Sequence, residues 1–126
     1  MARWLVKQEP DEFSFDDLQR VGGASWEGVK NPLALRHLRA MAAGDEVFFY
    51  HTGREKAVVG VATVAWAGNA DHPPILQAVR RLSSPVTLAC IKADGRFAGW
   101  GLVRQSRLSV MPVSDEAWRA VLELAG

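Results

Sequence analysis

Trp26 is the residue whose setting is best suited to recognition chemistry. It lies in Ser25-Trp26-Glu27-Gly28-Val29-Lys30-Asn31-Pro32, an irregular segment with polar groups on both sides of the indole. A tryptophan on a loop beside a helix start offers a flat stacking face next to free backbone donors, the combination a nucleobase pocket requires. Side chains able to read a base edge are the amides of Gln8 and Asn31, the carboxylates of Glu9 and Glu27, and the hydroxyls of Thr52 and Ser109. Amides donate and accept together, which suits the mixed edges of bases. Two of these have a plainer reading, Asn31 as a helix cap and Glu9 as a surface acid or an arginine partner.

Nucleophilic or general-base chemistry has fewer candidates. There is no G-x-S-x-G, no H-x-E with C-x-x-C and no P-loop, the patterns that place a nucleophile, a zinc-bound water or a phosphate cradle. Cys90, in Leu88-Ala89-Cys90-Ile91, reads as a small packed residue, and His51 beside Tyr50 as either a general base or a hydrogen-bonded polar histidine. A single cysteine forms no internal disulfide, and histidines at 37, 51 and 72 lack metal-ligand spacing. Neither a metal nor another cofactor is expected.

Net charge is +1 but unevenly placed: residues 1–27 carry three bases against six acids, whereas residues 78–112 carry six bases against Asp94 alone. A basic second half suits phosphates, with Arg80, Arg81 and Arg104 as candidates, or is simply a solvated face. Eleven of the fifteen basic residues are arginine, the side chain that binds phosphate bidentately.

These residues must be positioned by the elements around them. At 126 residues and 48% hydrophobic composition, the chain predicts one domain over 1–126 with its own core. No apolar run nears the roughly 20 residues of a membrane span and the N-terminus has no signal-peptide pattern, so a cytoplasmic protein without membrane contact is expected. Trp4-Leu5-Val6 reads as a first strand. Ser14 then caps a helix with Asp16 and Asp17 in its first turn, Phe13 stapled to Leu18, and Gly22-Gly23 ending it. Asn31-Pro32 starts a second helix, with Leu35, Leu38 and Met41 or Ala42 as its buried stripe.

Gly44-Asp45 turns into a strand at 46–51, which with 57–64 predicts a hairpin. Residues 68–74 read as loop, Thr87 as the cap of a short helix, 102–110 as a strand, and Ser114 as the cap of a last helix with Trp118, Val121, Leu122 and Ala125 inward. Trp4 and Trp118 fall in apolar patterns and read as core; Trp66 and Trp100 are unplaced. Four or five short strands with helices between them and no βαβ rhythm predict an α+β fold built on a small β-barrel.

The segments Trp4-Leu5-Val6-Lys7-Gln8-Glu9-Pro10, Trp26-Glu27-Gly28-Val29-Lys30-Asn31, Gly44-Asp45 leading into Phe48-Phe49-Tyr50-His51-Thr52-Gly53, and Arg107-Leu108-Ser109-Val110-Met111-Pro112 occur in this order across nearly the whole chain. As an ordered set the sequence resembles the EVE domain, a PUA-like family with kinship to the YTH readers of methylated adenine. The resemblance implies a PUA-like barrel with inserted and flanking helices and a pocket for a modified nucleobase of DNA or RNA. It implies Trp26 as the stacking wall, with Lys7, Gln8, Glu9, Pro10, Val29 and Asn31 lining the pocket. Tyr50, His51 and Thr52 would come from the hairpin, and Arg107, Leu108 and Ser109 from the last strand. Family members carry a longer segment after the 58–64 strand, so the shortness of 68–74 predicts the loss of one wall or lid.

The expected function is therefore a non-enzymatic nucleic-acid reader. Two alternatives stand beside it, an RNA-modifying or processing enzyme on the same body, and a protein-interaction module using Trp66 and Trp100 as an exposed patch.

Overall fold

The computed structural model describes residues 1–126. Its strands are β1 (Arg3–Gln8), β2 (Gly23–Ser25), β3 (Glu46–His51), β4 (Ala57–Trp66), β5 (Ile75–Thr87) and β6 (Val110–Pro112). The helices are α1 (Phe15–Val21), α2 (Pro32–Ala40), α3 (Leu88–Ala93), α4 (Gly101–Arg104) and α5 (Asp115–Ala125), with one 3-10 turn at Gly95–Phe97. No helix is long and apolar enough to cross a membrane.

The helix starts follow the local chemistry of their caps. Ser14 and Asp17 form a reciprocal capping box, and Gly22, at φ 86°, ends α1. Thr87 caps α3 by accepting from the Cys90 N–H, and Ser114 caps α5 by accepting from Ala117. On α2 the buried stripe is Ala34 and Leu38, continued by Met41, while Leu35 is half-exposed and Ala42 exposed.

The strands form one mixed sheet in the order β2-β5-β4-β3-β1-β6, curled into a half-barrel. The pair β1–β3 is parallel and every other pair antiparallel. The crossover between β1 and β3 runs through α1, β2 and α2, so the chain contains one parallel connection that its sequence rhythm concealed. Register sorts the central side chains by face, because partners across a ladder share a side. Phe49 packs edge-on against Phe15 and Trp26, with ring centroids 5.4 and 5.7 Å apart, on the face carrying α1. Phe48 stacks on Trp118 of α5 at 3.7 Å on the other. Trp4 and Trp118 are core residues, as expected.

Two elements differ from expectation. The strand β5 is 13 residues long where the sequence, after a loop at 68–74, suggested only a helix cap at Thr87 and left 75–84 unassigned. Its alternation is broken by a bulge: β5 advances from Arg81 to Val86 while β4 goes from Gly60 to Val58, and the bulge admits Pro85 into the strand. Conversely, residues 102–110 are not one strand. The Trp100 carbonyl accepts from Val103 and Arg104 and the Gly101 carbonyl from Gln105, closing the turn of α4, and ladder pairing begins only at Val110.

Asp45 organises the start of β3. Its carboxylate accepts from the Trp4 indole (2.9 Å) and from the backbone N–H groups of Ala42 (2.9 Å) and Ala2 (3.1 Å). Burial opposes its charge, yet these bonds outweigh it and hold its pKa below the usual carboxylate value.

Candidate functional site

Antiparallel pairing of β3 with β4 gives the sheet two functionally distinct ends. Glu46 pairs with Thr63 at one, and His51 with Ala57 at the other. The six residues of β3 put these ends about 17 Å apart. The residues singled out in the sequence divide between them.

At the first end the β4–β5 turn, the 26–29 segment and α2 enclose an open cleft of about 750 Å³. Trp26 to Val29 form one wall, Leu35, Leu38 and Arg39 of α2 a second, and residues 67–74 the third. The short segment itself supplies this third wall. It is a self-bonded turn: the Asn69 side chain accepts from the N–H groups of Asp71 and His72, at 2.9 Å each. Gly68 is required there, at φ +79° with the His72 carbonyl 2.5 Å from where a Cβ would stand. A backbone bond from the Trp26 N–H to the Pro74 carbonyl (2.9 Å) joins two of the walls.

Trp26 itself is 4% exposed, so it does not present an open face for stacking. Its ring is wedged edge-on between Phe13, at 6.3 Å, and Phe49. What it offers is its donor. Only the indoles of Trp4 and Trp100 bond to protein acceptors, and no buried side-chain nitrogen or oxygen lacks a partner. The unbonded Trp26 Nε1–H is thus solvent-accessible, and the cleft is the space that Trp26 lines.

The helix start beside it provides none of the free donors expected from the sequence. Pro32 has no N–H, the Asn31 carboxamide oxygen accepts from Leu33 (2.9 Å) and Ala34 (3.0 Å), and Leu35 donates to the Asn31 carbonyl. Asn31 is a cap and does not line the cleft.

Most of the remaining candidates lie at the opposite end, bonded to one another. Glu9 accepts from the Thr52 hydroxyl (3.3 Å) and the Asp11 N–H (3.4 Å), while the Gln8 side chain accepts from the Glu9 N–H (3.2 Å). Half-buried Pro10 sits in the turn that follows. His51 takes the Phe15 N–H on Nε2 (3.0 Å), which puts its proton on Nδ1, 2.7 Å from Glu55. Both ring nitrogens are thereby engaged within the protein.

Lys7 and Tyr50 are register partners on the face opposite Phe49. The Lys7 ammonium donates to the Ser106 carbonyl (3.0 Å) and lies 5.7 Å over the Tyr50 ring. Burial lowers the lysine pKa and raises that of the phenol. Ser109 accepts the Lys7 N–H through its carbonyl, Leu108 is buried and Arg107 exposed. None of the residues at this end lines the cleft; of the expected ligand set, Trp26 and Val29 do.

The three candidate phosphate contacts do not line it either. Arg81 is tied to Asp16 through Nε (3.0 Å) and Nη2 (2.6 Å), and Arg80 and Arg104 are exposed elsewhere. Trp100, 8% exposed and donating to the Pro112 carbonyl (3.2 Å), forms no surface patch with Trp66, which is 41% exposed. The sequence reading missed Arg39, Asn69 and His72 as cleft residues. Their only common signal is proximity in the fold, which chain position does not carry.

A curled mixed sheet with helices inserted after its first strand and flanking its last defines an α+β, PUA-like protein. The chain belongs to the EVE domain family, whose model matches residues 2–124. Human thymocyte nuclear protein 1 is 27% identical, covering 98% of this chain and 73% of that protein. A solution structure of a protein from Rhodopseudomonas palustris is 38% identical with a TM-score of 0.94, covering 100% of this chain and 94% of that one. The structure of human THYN1 protein in complex with 5-methylcytosine containing DNA is 26% identical with a TM-score of 0.89, covering 99% and 98%.

Proposed function

We propose that this protein is a non-enzymatic nucleic-acid-binding domain that holds a modified base of DNA in the Trp26 cleft. The observation that carries the reading is Trp26, whose indole N–H bonds to no protein acceptor, in the wall of an open cleft of mixed polar and apolar lining, on a chain similar over its whole length to a protein solved with 5-methylcytosine DNA. The base would enter flipped or from a single strand, because its edge is otherwise paired and its faces stacked. Trp26 would donate to an acceptor on that edge, with Glu27 and Asn69 available to complete it. Val29 and Leu35 would receive the added alkyl group, a contact worth ~1–3 kcal/mol in discrimination.

The lining also supports binding without reaction. It contains no serine, threonine, cysteine, tyrosine or lysine, and its acids and histidine, Glu27, Asp71 and His72, form no hydrogen-bonded nucleophile–base pair with one another. Titration with DNA and RNA oligonucleotides, each with and without 5-methylcytosine, followed by mass analysis of the nucleosides, tests the reading. Saturable binding that favours the modified DNA and leaves every nucleoside unchanged is expected. Binding to none of them would sink the proposal, and an altered nucleoside mass would make the protein an enzyme.

A further inference from the structure

The cleft explains how a base is held but not its phosphate, since the start of α2 has no free N–H and Arg81 is engaged by Asp16. The side chains that remain at the rim are on α2 itself. Arg36 and Arg39 are exposed and stand three residues apart, on neighbouring positions of one helix face. Arg39 lines the cleft, and with Pro32, Leu35 and Arg36 it also forms an adjoining shallow depression of about 350 Å³. Leu35 and Arg39 line both, so the two spaces adjoin across these side chains.

Neither arginine is engaged in an ion pair or side-chain hydrogen bond, in contrast to Arg3, Arg20, Arg81 and Arg96, each held by at least one carboxylate. The helix carries no acid, and exposed Lys30 precedes it. Burial and then the charge of Arg36 lower the pKa of His37. The carboxylates bordering the cleft, Glu27 and Asp71, are on its other walls and pair with neither arginine.

We propose that Arg36 and Arg39 form a phosphate clamp that grips the nucleic-acid backbone next to the nucleotide whose base occupies the cleft. Guanidinium groups bind phosphate bidentately and remain charged at any working pH. Two of them side by side fix the strand while leaving the base free to swing inward. Phosphate contacts position without reading sequence, so the clamp sets affinity and the cleft sets preference. The proposal rests on the reading of the cleft as a base site.

The test compares wild type, Arg36→Gln/Arg39→Gln and the control Arg80→Gln/Arg104→Gln. All substituted residues are exposed, and each protein is first checked for an unchanged melting temperature. Binding of single-stranded DNA and RNA oligonucleotides, with and without one 5-methylcytosine, is measured across a salt series. Each lost phosphate contact on a single strand lowers the slope of log K against log salt by ~0.7. The α2 double variant should therefore lose a slope of about 1.4, weakening modified and unmodified strands by the same factor, while the control matches wild type. An unchanged slope in the α2 variant, or a loss confined to the control, overturns the clamp and leaves the base site standing. A wild type that binds no oligonucleotide sinks the base site and the clamp together.

Discussion

The two ends of the sheet carry polar residues in similar number but in opposite condition. At the end of β1 and β3, Gln8, Glu9, His51 and Thr52 bond to each other, to Glu55 or to the backbone of the turns they hold. At the cleft end, the Trp26 N–H and the Arg39 guanidinium bond to nothing in the protein, and the backbone donors that could have competed with them are capped by Asn31. Engaged groups stabilise a fold; unengaged groups beside a cavity are available to a ligand. A dense sequence motif does not distinguish these conditions, because both need polar residues at fixed positions.

The sharpest way to break this contrast is to remove each end's central side chain and ask what is lost. Trp26→Ala deletes a buried aromatic wedged between Phe13 and Phe49 and should cost ~3–5 kcal/mol of stability in urea unfolding, in addition to abolishing binding. A cost under 1 kcal/mol would show that the indole is not part of the core. His51→Ala leaves the buried Phe15 N–H without its acceptor, at a cost of ~1–3 kcal/mol. Its oligonucleotide affinity, measured under conditions where it is folded, should equal that of wild type; a tenfold loss would make the second end a binding site after all. Asn31→Ala removes only a cap and should cost ~1 kcal/mol, seen as a lower melting temperature with affinity unchanged.

Much of the architecture was readable because its determinants are local. Ser14, Asn31, Thr87 and Ser114 cap helices with atoms two or three residues away, and the β3–β4 hairpin follows from adjacent apolar strands. The strand β5 was hidden because its bulge and its exposed Arg80-Arg81 and Ser83-Ser84 pairs erase alternation, and only the neighbouring β4 and β2 make it a strand. The cleft was partly readable. Trp26 was singled out by the composition of its loop and Val29 by the family resemblance, and both line the cleft, but the burial of the indole face was not foreseen. Arg39 and the 67–74 wall come together only through the β4–β5 turn and the packing of α2, which no spacing along the chain encodes.

In the proposed function the Trp26 indole serves the cleft as a hydrogen-bond donor rather than as a stacking surface. Trp26→Phe keeps an aromatic ring between Phe13 and Phe49 and removes the N–H. Its affinity for single-stranded DNA carrying one 5-methylcytosine, measured beside wild type in the same salt, is the most direct test. An unpaired acceptor on the bound base costs ~1–3 kcal/mol, so a loss of roughly fivefold or more is expected in a protein that remains folded. Affinity equal to wild type in the folded variant would contradict the account.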